Sequence, residues 1–544
     1  MKRTPLFIAI WVWAIGFPAG RSQVSPAALD SARHVLDRLA YGPVPGQAEL
    51  VAREGVMKWI DRQLASGNID DPALRPTLAD YRLLSTSSED LLRQFVMVRQ
   101  ERRQEQRSRP DSMMAPGQRP PPQSEEGQEL RRLLGQLPEL VLVRAVRSDR
   151  QLGEVMADFW FNHFNIFAGK GLDRVYLPEY MERTIRPHAL GKFEDLLVAT
   201  ATSPAMMFYL DNAQSVAPGS QPPGFGRRMA AQRQQVQARM PTGINENYAR
   251  ELLELHTLGV NGGYSQKDVT EAARILTGWS IAPPGGALAG FRRGREPQAG
   301  FQFHDWAHDR GAKTVLGVDF PPGRGQDEGM RLLSMLAEHP STMHFVSAKL
   351  CARFVNDAPP DGCMDDAVRA WKKSDGDIRG VLRAVFHSPD FWAPVNRGAK
   401  VKTPLEFVVS AVRAVGGTPD STPRLAMAVG RLGQPLFQHV APNGYGERQD
   451  DWVNSGALLN RMNFAMGLAA GRLPGVIVDL NRVLPVSADH QTLAASVNQV
   501  ILNGRMSEKT RRVILEQTAD LSDPITARAV AVGLAIGGPE FQKQ

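Results

Sequence analysis

Four stretches of this sequence carry side chains whose types and spacing fit chemistry. The first runs from Glu154 to Phe167 and is apolar almost all round, through Phe159, Trp160, Phe161, Phe164, Ile166 and Phe167. A polar stripe of Glu154, Asp158, Asn162 and Asn165 interrupts it, with His163 projecting separately. A helix this apolar is buried on most sides, so its stripe must face a partner, water or a ligand. A buried structural network is the plainer role for Asn162 and Asn165.

The second stretch is Asn245 to Leu258. Projected at about 100° per residue, it gathers Tyr248, Ala249, Leu252, Leu253 and Leu255 on one apolar face, with Asn245 and His256 near its centre. Glu246 follows Asn245, while Asn247, Arg250, Glu251 and Glu254 lie opposite. A buried histidine needs a partner, because an unpaired buried donor or acceptor costs about 1–3 kcal/mol. The third stretch, Asp268 to Trp279, centres its apolar face on Asp268. That carboxylate either joins His256 or, three residues after Ser265, bonds back to the capping residue's amide. The fourth is His304-Asp305-Trp306-Ala307-His308-Asp309, followed by Gly311 and Lys313 in a glycine- and proline-rich region. Two His-Asp dipeptides four apart could supply metal ligands or an acid–base pair, or form a solvated turn.

The elements that position these groups read as helices. Leu29, Ala32, Leu36 and Leu39 recur at intervals of three and four, as do Leu332, Leu333 and Leu336, then Phe345, Leu350 and Phe354, then Leu405, Val408, Val409 and Val412. Hairpin signatures are scarce. The expected fold class is therefore all-α, mostly helical with multi-helix orthogonal packing, long loops and two or three disordered inserts. Asp195–Pro204 and Gly380–Pro389 share a helix-Ser-Pro corner, which raises a weak internal duplication against chance recurrence.

Composition divides the 544 residues into a signal peptide (1–22), an N-terminal helical region (23–98), a basic Pro/Gln-rich linker (99–128), and a central helical domain (129–281) with an insert at 213–243. A loop region (282–325), a C-terminal helical domain (326–472) and a helical extension (473–544) follow. Lys2 and Arg3, the apolar run Leu6–Phe17, and Pro18 to Ser22 have the order of a secretory signal peptide. The run is too short to span a bilayer, so the processed chain is expected free in the periplasm or secreted, with no integral membrane span.

In such a compartment Cys351 and Cys363 either close a small disulfide loop or remain buried thiols. The net charge of +7 resides in the basic tracts at 99–119 and 213–243, which leaves the body near neutral and argues against a nucleic-acid groove. The chain contains no P-loop, no G-x-S-x-G elbow, no G-x-G-x-x-G and no paired C-x-x-C.

The segments Asp158–Asn165, Ile185–Phe193, Asn245–Gly259 and Lys400–Phe407 resemble the bacterial domain of unknown function 1800 family, over about His34 to Gly471. The resemblance implies an exported helical protein, frequently encoded beside a secreted relative of the alkaline-phosphatase-like superfamily, and so an exported alkaline-phosphatase-like partner. His308, Asp309, Gly311 and Lys313 match a family pattern, whereas Cys363 and the 213–243 insert look particular to this sequence.

Together these residues lead to the expectation of a polar pocket built by His163, Asn245, Glu246, His256, Asp268, His308 and Asp309, hydrolysing a cell-envelope or extracellular polymer. In a metal-assisted form His163, His256, His308 and Asp268 or Asp309 bind a divalent metal and leave a position open for water. In a metal-free form Glu246 and Asp158 act as acid and base. The alternative is a non-catalytic binding or assembly module for another exported protein, its polar residues each satisfied structurally.

Overall fold

A computed structural model describes residues 24–108, 124–221, 243–281 and 300–544. The helices that frame the site are α1 (Pro26–Leu39), α2 (Gln47–Glu54), α3 (Val56–Leu64), α4 (Ser88–Ser108), α5 (Glu125–Arg147), α6 (Gln151–His163), α7 (Asn247–Glu251), α8 (Gln266–Ile275), α9 (Gln326–Ala337), α10 (Pro340–Phe354), α11 (Asp361–Ser374), α12 (Ile378–His387) and α13 (Pro404–Ala414). Strands are short and pair only in twos: β1 (Trp279–Ile281) with β2 (Phe301–Phe303), β3 (Lys313–Val315) with β4 (Val318–Phe320), and β5 (Thr418–Pro419) with β6 (Val476–Ile477), all antiparallel. The fold is all-α.

Every residue of α13 is buried, as expected of a helix apolar on all sides. Its polar members survive there because they are bonded: Arg413 donates to the carbonyls of Gly42 (2.9 Å) and Val146 (2.7 Å). One continuous hydrophobic core runs from Ala32 on α1 to Phe541 and draws on the 23–98, 129–281, 282–325, 326–472 and 473–544 segments. The composition boundaries at 325 and 472 therefore fall inside one packed body.

Two boundaries shift for local reasons. Residues 99–108 continue α4, and Ser124 caps α5 by accepting from Gly127 N, so both ends of the basic linker are helical. The expected signal peptide (1–22) and most of the three inserts lie outside the described residues. The 282–325 region carries β2 and the β3–β4 hairpin, which places His308 beside α8.

The two helices that end in Ser-Pro corners start side by side, where Lys192 and Asp377 form an antiparallel bridge. Cys351 on α10 and Cys363 on α11 are joined as a disulfide. Among the described residues no helix is long and apolar enough to cross a membrane.

Candidate functional site

The polar stripe of α6 points at the irregular segment that follows Gly433. Asn162 grips it from both sides, its Nδ2 donating to Tyr445 O (2.8 Å) and its Oδ1 accepting from Tyr445 N (2.7 Å). Asn165 donates to the carbonyls of His439 (3.1 Å) and Ala441 (2.7 Å). Gly444 sits at φ +72 against this grip, where a Cβ would lie 2.2 Å from Asn162 O, so only glycine fits. Glu154 pairs with Arg186 at 2.5 Å. The two asparagines thus have the structural role that the buried-network reading gives them.

Asp158 is the member of the stripe left over. Its carboxyl makes no hydrogen bond to any described residue, and it lines two adjoining cavities of about 30 and 20 Å³. Those volumes have room for only about one to three waters each, since one water needs roughly 10–15 Å³ of such space. Arg353, Lys400, Thr403, Glu406, Tyr445 and Glu447 wall the second cavity. Burial pushes the Asp158 carboxyl up to about 7, with Arg353 opposing and the negative charges of Glu406 and Glu447 adding to the rise.

The walls are fixed by caps and ion pairs. Thr403 and Glu406 form a capping box at the start of α13, and Glu406 also pairs with Arg353 of α10 and accepts from Gln544 Nε2 (2.9 Å). Burial alone would raise the Glu406 carboxyl; Arg353 and these hydrogen bonds overcome it and hold the group down at about 2. Lys400 pairs with Asp357 and donates to Glu447 O at 3.3 Å. Sequence reasoning misses Arg353, Glu406, Lys400 and Glu447 as site residues, although the Lys400–Phe407 block carries part of the family resemblance.

His163 and His256 do meet, behind this cleft. His163 Nδ1 accepts from Lys349 Nζ at 3.0 Å and its Nε2 lies 3.1 Å from His256 O. This pattern assigns a neutral ring with the proton on Nε2. Burial and the neighbouring Lys349 push both imidazoles below their ordinary value, His256 to about 3. His256 Nε2 is enclosed without a hydrogen-bond partner among the described residues. The projection that centres His256 assumes α-helical phase, whereas Leu252–Thr257 is a π-helical turn, closed by Leu258 N donating to Leu253 O at 2.8 Å.

The remaining expected residues lie in other networks. Asp268 completes a capping box with Ser265 and accepts from Leu316 N at 2.6 Å, which holds its carboxylate below the usual range against partial burial. Asp309 receives a two-pronged bond from Arg274 (2.8 and 3.0 Å) and another from Gly311 N (2.9 Å). His308 Nδ1 lies 2.9 Å from Thr277 O and its Nε2 faces Glu328, which pairs at 2.5 Å with the buried Lys313. Asn245 accepts from Asn247 N (2.9 Å), and Glu246 accepts from Thr270 (2.7 Å) and Gln266 (2.8 Å) on α8.

Two of the expected groupings are not brought together among the described residues. Among the described residues no three His, Cys, Asp or Glu side chains group so as to hold a metal ion. His163, His256, Asp268, His308 and Asp309 are not one ligand set, because capping, ion-pair and carbonyl bonds occupy most of their donor atoms. Glu246 lines neither cavity of Asp158, so the two carboxyls are not brought together.

No curated protein and no solved structure matches the chain. The family model described as "Protein of unknown function (DUF1800)" matches residues 34–543. Nearly the whole framework of α1 to α13, with both walls of the Asp158 cleft, falls within that match, and this chain belongs to the DUF1800 family.

Proposed function

We propose that this chain is an exported hydrolytic enzyme that works by general acid–base catalysis at the Asp158 cleft on an extracellular or cell-envelope polymer. The observation that carries the reading is Asp158 itself, a carboxyl without a hydrogen-bond partner among the described residues, held near neutrality at a water-sized cavity. An acid poised near the working pH is what proton transfer to a leaving oxygen requires. The Cys351–Cys363 disulfide supports an oxidising compartment.

In the reaction Asp158 gives its proton to the oxygen that leaves the scissile bond. Glu447 takes a proton from the attacking water, whose oxygen bonds to the electrophilic atom. Arg353, Lys400 and Tyr445 sit where a polar substrate group would bind. Because the cavities are small, the substrate presents one bond at the mouth rather than threading through.

The test is release of new chain ends from polysaccharide, phosphoester and peptide panels by the processed protein and by Asp158→Asn. Loss of the general acid should lower kcat by about 10²–10⁴-fold, and wild-type activity should fall as pH rises above about 7. Full activity in the variant, or no turnover on any panel, overturns the proposal.

One observation favours a second reading, an assembly module for another exported protein of alkaline-phosphatase-like type. Asn162, Asn165 and Asp268 are each satisfied by backbone groups, as a scaffold requires. A stoichiometric copurifying partner without turnover would favour it.

A further inference from the structure

A groove that shares no lining residue with the Asp158 cavities runs between α2, α3, the turn that follows α3, and Asp149 in the link from α5 to α6. Its volume is about 590 Å³, within the roughly 300–1,000 Å³ of small-molecule sites. Unlike most such sites its lining is polar, with Gln47, Arg62, Gln63, Asn68, Asp70 and Asp149 around Trp59.

What these side chains have left to offer defines the ligand. Arg62 is paired with Glu54 at 2.9 Å and Asp70 with Arg75, so both charges are already answered. Gln63 is spent on Leu152 N (3.1 Å) and Asp149 O (2.9 Å), which fixes the backbone that carries Asp149. Gln47 Oε1 accepts from Val44 N (3.0 Å) and Arg413 (3.2 Å), leaving its Nε2 to donate.

Trp59 is 2% exposed, and its indole N–H has no acceptor among the described residues. The side chains of Asn68 and Asp149 are exposed and likewise without partners among the described residues. The groove therefore presents unspent donors on Gln47, Asn68 and Trp59 beside unspent acceptors on Asn68 and Asp149. Its one carboxylate without a hydrogen-bonded partner among the described residues, Asp149, is met at longer range by the positive charges of Arg413 and Arg62, and no cation in its lining is left unpaired.

An anionic ligand finds no free cation there, and an apolar one would strand the polar lining. Hydroxyl groups, each a donor and an acceptor at once, match an alternation of amide, carboxylate and indole N–H. We infer that this groove is a binding site for a short segment of a neutral glycan, held by Trp59, Asn68, Asp149 and Gln47. The site is independent of the Asp158 reading, and the two stand or fall separately.

The experiment is calorimetric titration of the processed full chain with cellohexaose, chitohexaose and maltohexaose, and with spermidine as a cationic control. At least one hexasaccharide should bind. The Asn68→Ala/Asp149→Ala double variant, altered only at exposed groups, should weaken that binding at least tenfold with an unchanged melting temperature. Trp59→Phe, which keeps a packed ring and removes the N–H, should weaken it several-fold, and Asp158→Asn should leave it unchanged. No binding of any hexasaccharide at millimolar concentration, binding indifferent to the double variant, or binding of spermidine alone overturns the inference.

Discussion

Replacing Asp158 by asparagine should make the protein's stability less sensitive to pH, by an amount that follows from the site. Folding raises this carboxyl from its ordinary value of 3.8 to about 7, so between those values the native state holds a proton that the unfolded chain has released. Stability therefore falls as pH rises through this window, the reverse of a salt-bridged carboxylate. Linkage over a shift of that size costs the wild type roughly 2 to 3 kcal/mol between about pH 5 and pH 8. Water in the adjoining cavity trims the figure toward its lower end.

An asparagine at this position cannot ionise and escapes the loss, although its amide also wants partners. The assay is denaturant unfolding of wild type and variant at both pH values. The difference between the two proteins' pH dependences cancels the titration of every other group. Parallel pH dependences would refute the reasoning, because they would mean that Asp158 ionises in the fold as readily as in the unfolded chain.

Three further outcomes follow from other buried groups. Asp173 is buried with neither carboxyl oxygen hydrogen-bonded among the described residues, and burial pushes it up to about 9; Asp173→Asn should gain in melting temperature over wild type as pH rises from about 4 toward 9, and a constant offset would contradict this. Replacing Cys351 and Cys363 by serine opens a loop of sequence separation 12 and should cost roughly 2–3 kcal/mol in unfolding experiments, with reductant lowering the wild type to the same level. Glu328→Gln removes the near counter-charge of the buried Lys313 and leaves it only Asp309 at 4.0 Å, which should destabilise by about 3 kcal/mol, while the double change Lys313→Met/Glu328→Leu should recover most of the loss.

How much of this was legible in the sequence depends on how far away each group finds its partner. Asp268 bonds to Ser265 three positions back, so the capping motif announces it and only its link to Leu316 is invisible. The stripe on α6 is legible as a stripe, since an apolar helix has just one line on which Glu154, Asp158, Asn162 and Asn165 can stand. Its partners are not, because Tyr445 lies 283 residues from Asn162, and periodicity says which face of a helix is buried without saying against what. His256 fails for a different reason. A π-helical turn shifts the phase of the residues after Leu252, and no residue type in Leu252–Thr257 demands that turn.

The same distinction separates structural from chemical candidates in this fold. A polar side chain near a helix start can be satisfied locally whatever surrounds it, so its burial carries little information about function. A polar side chain in mid-helix has no local backbone donor to turn to, because the helix has spent its own amides. The other polar residues here lie near helix ends: Asn162 and Asn165, at and beyond the end of α6, bind a loop, Glu154 in its first turn binds Arg186, and Glu406 stands at the third position of a capped helix beside Arg353. Asp158 has the same need, a mid-helix position and no such solution among the described residues, which is the condition under which a carboxyl keeps a proton to give away.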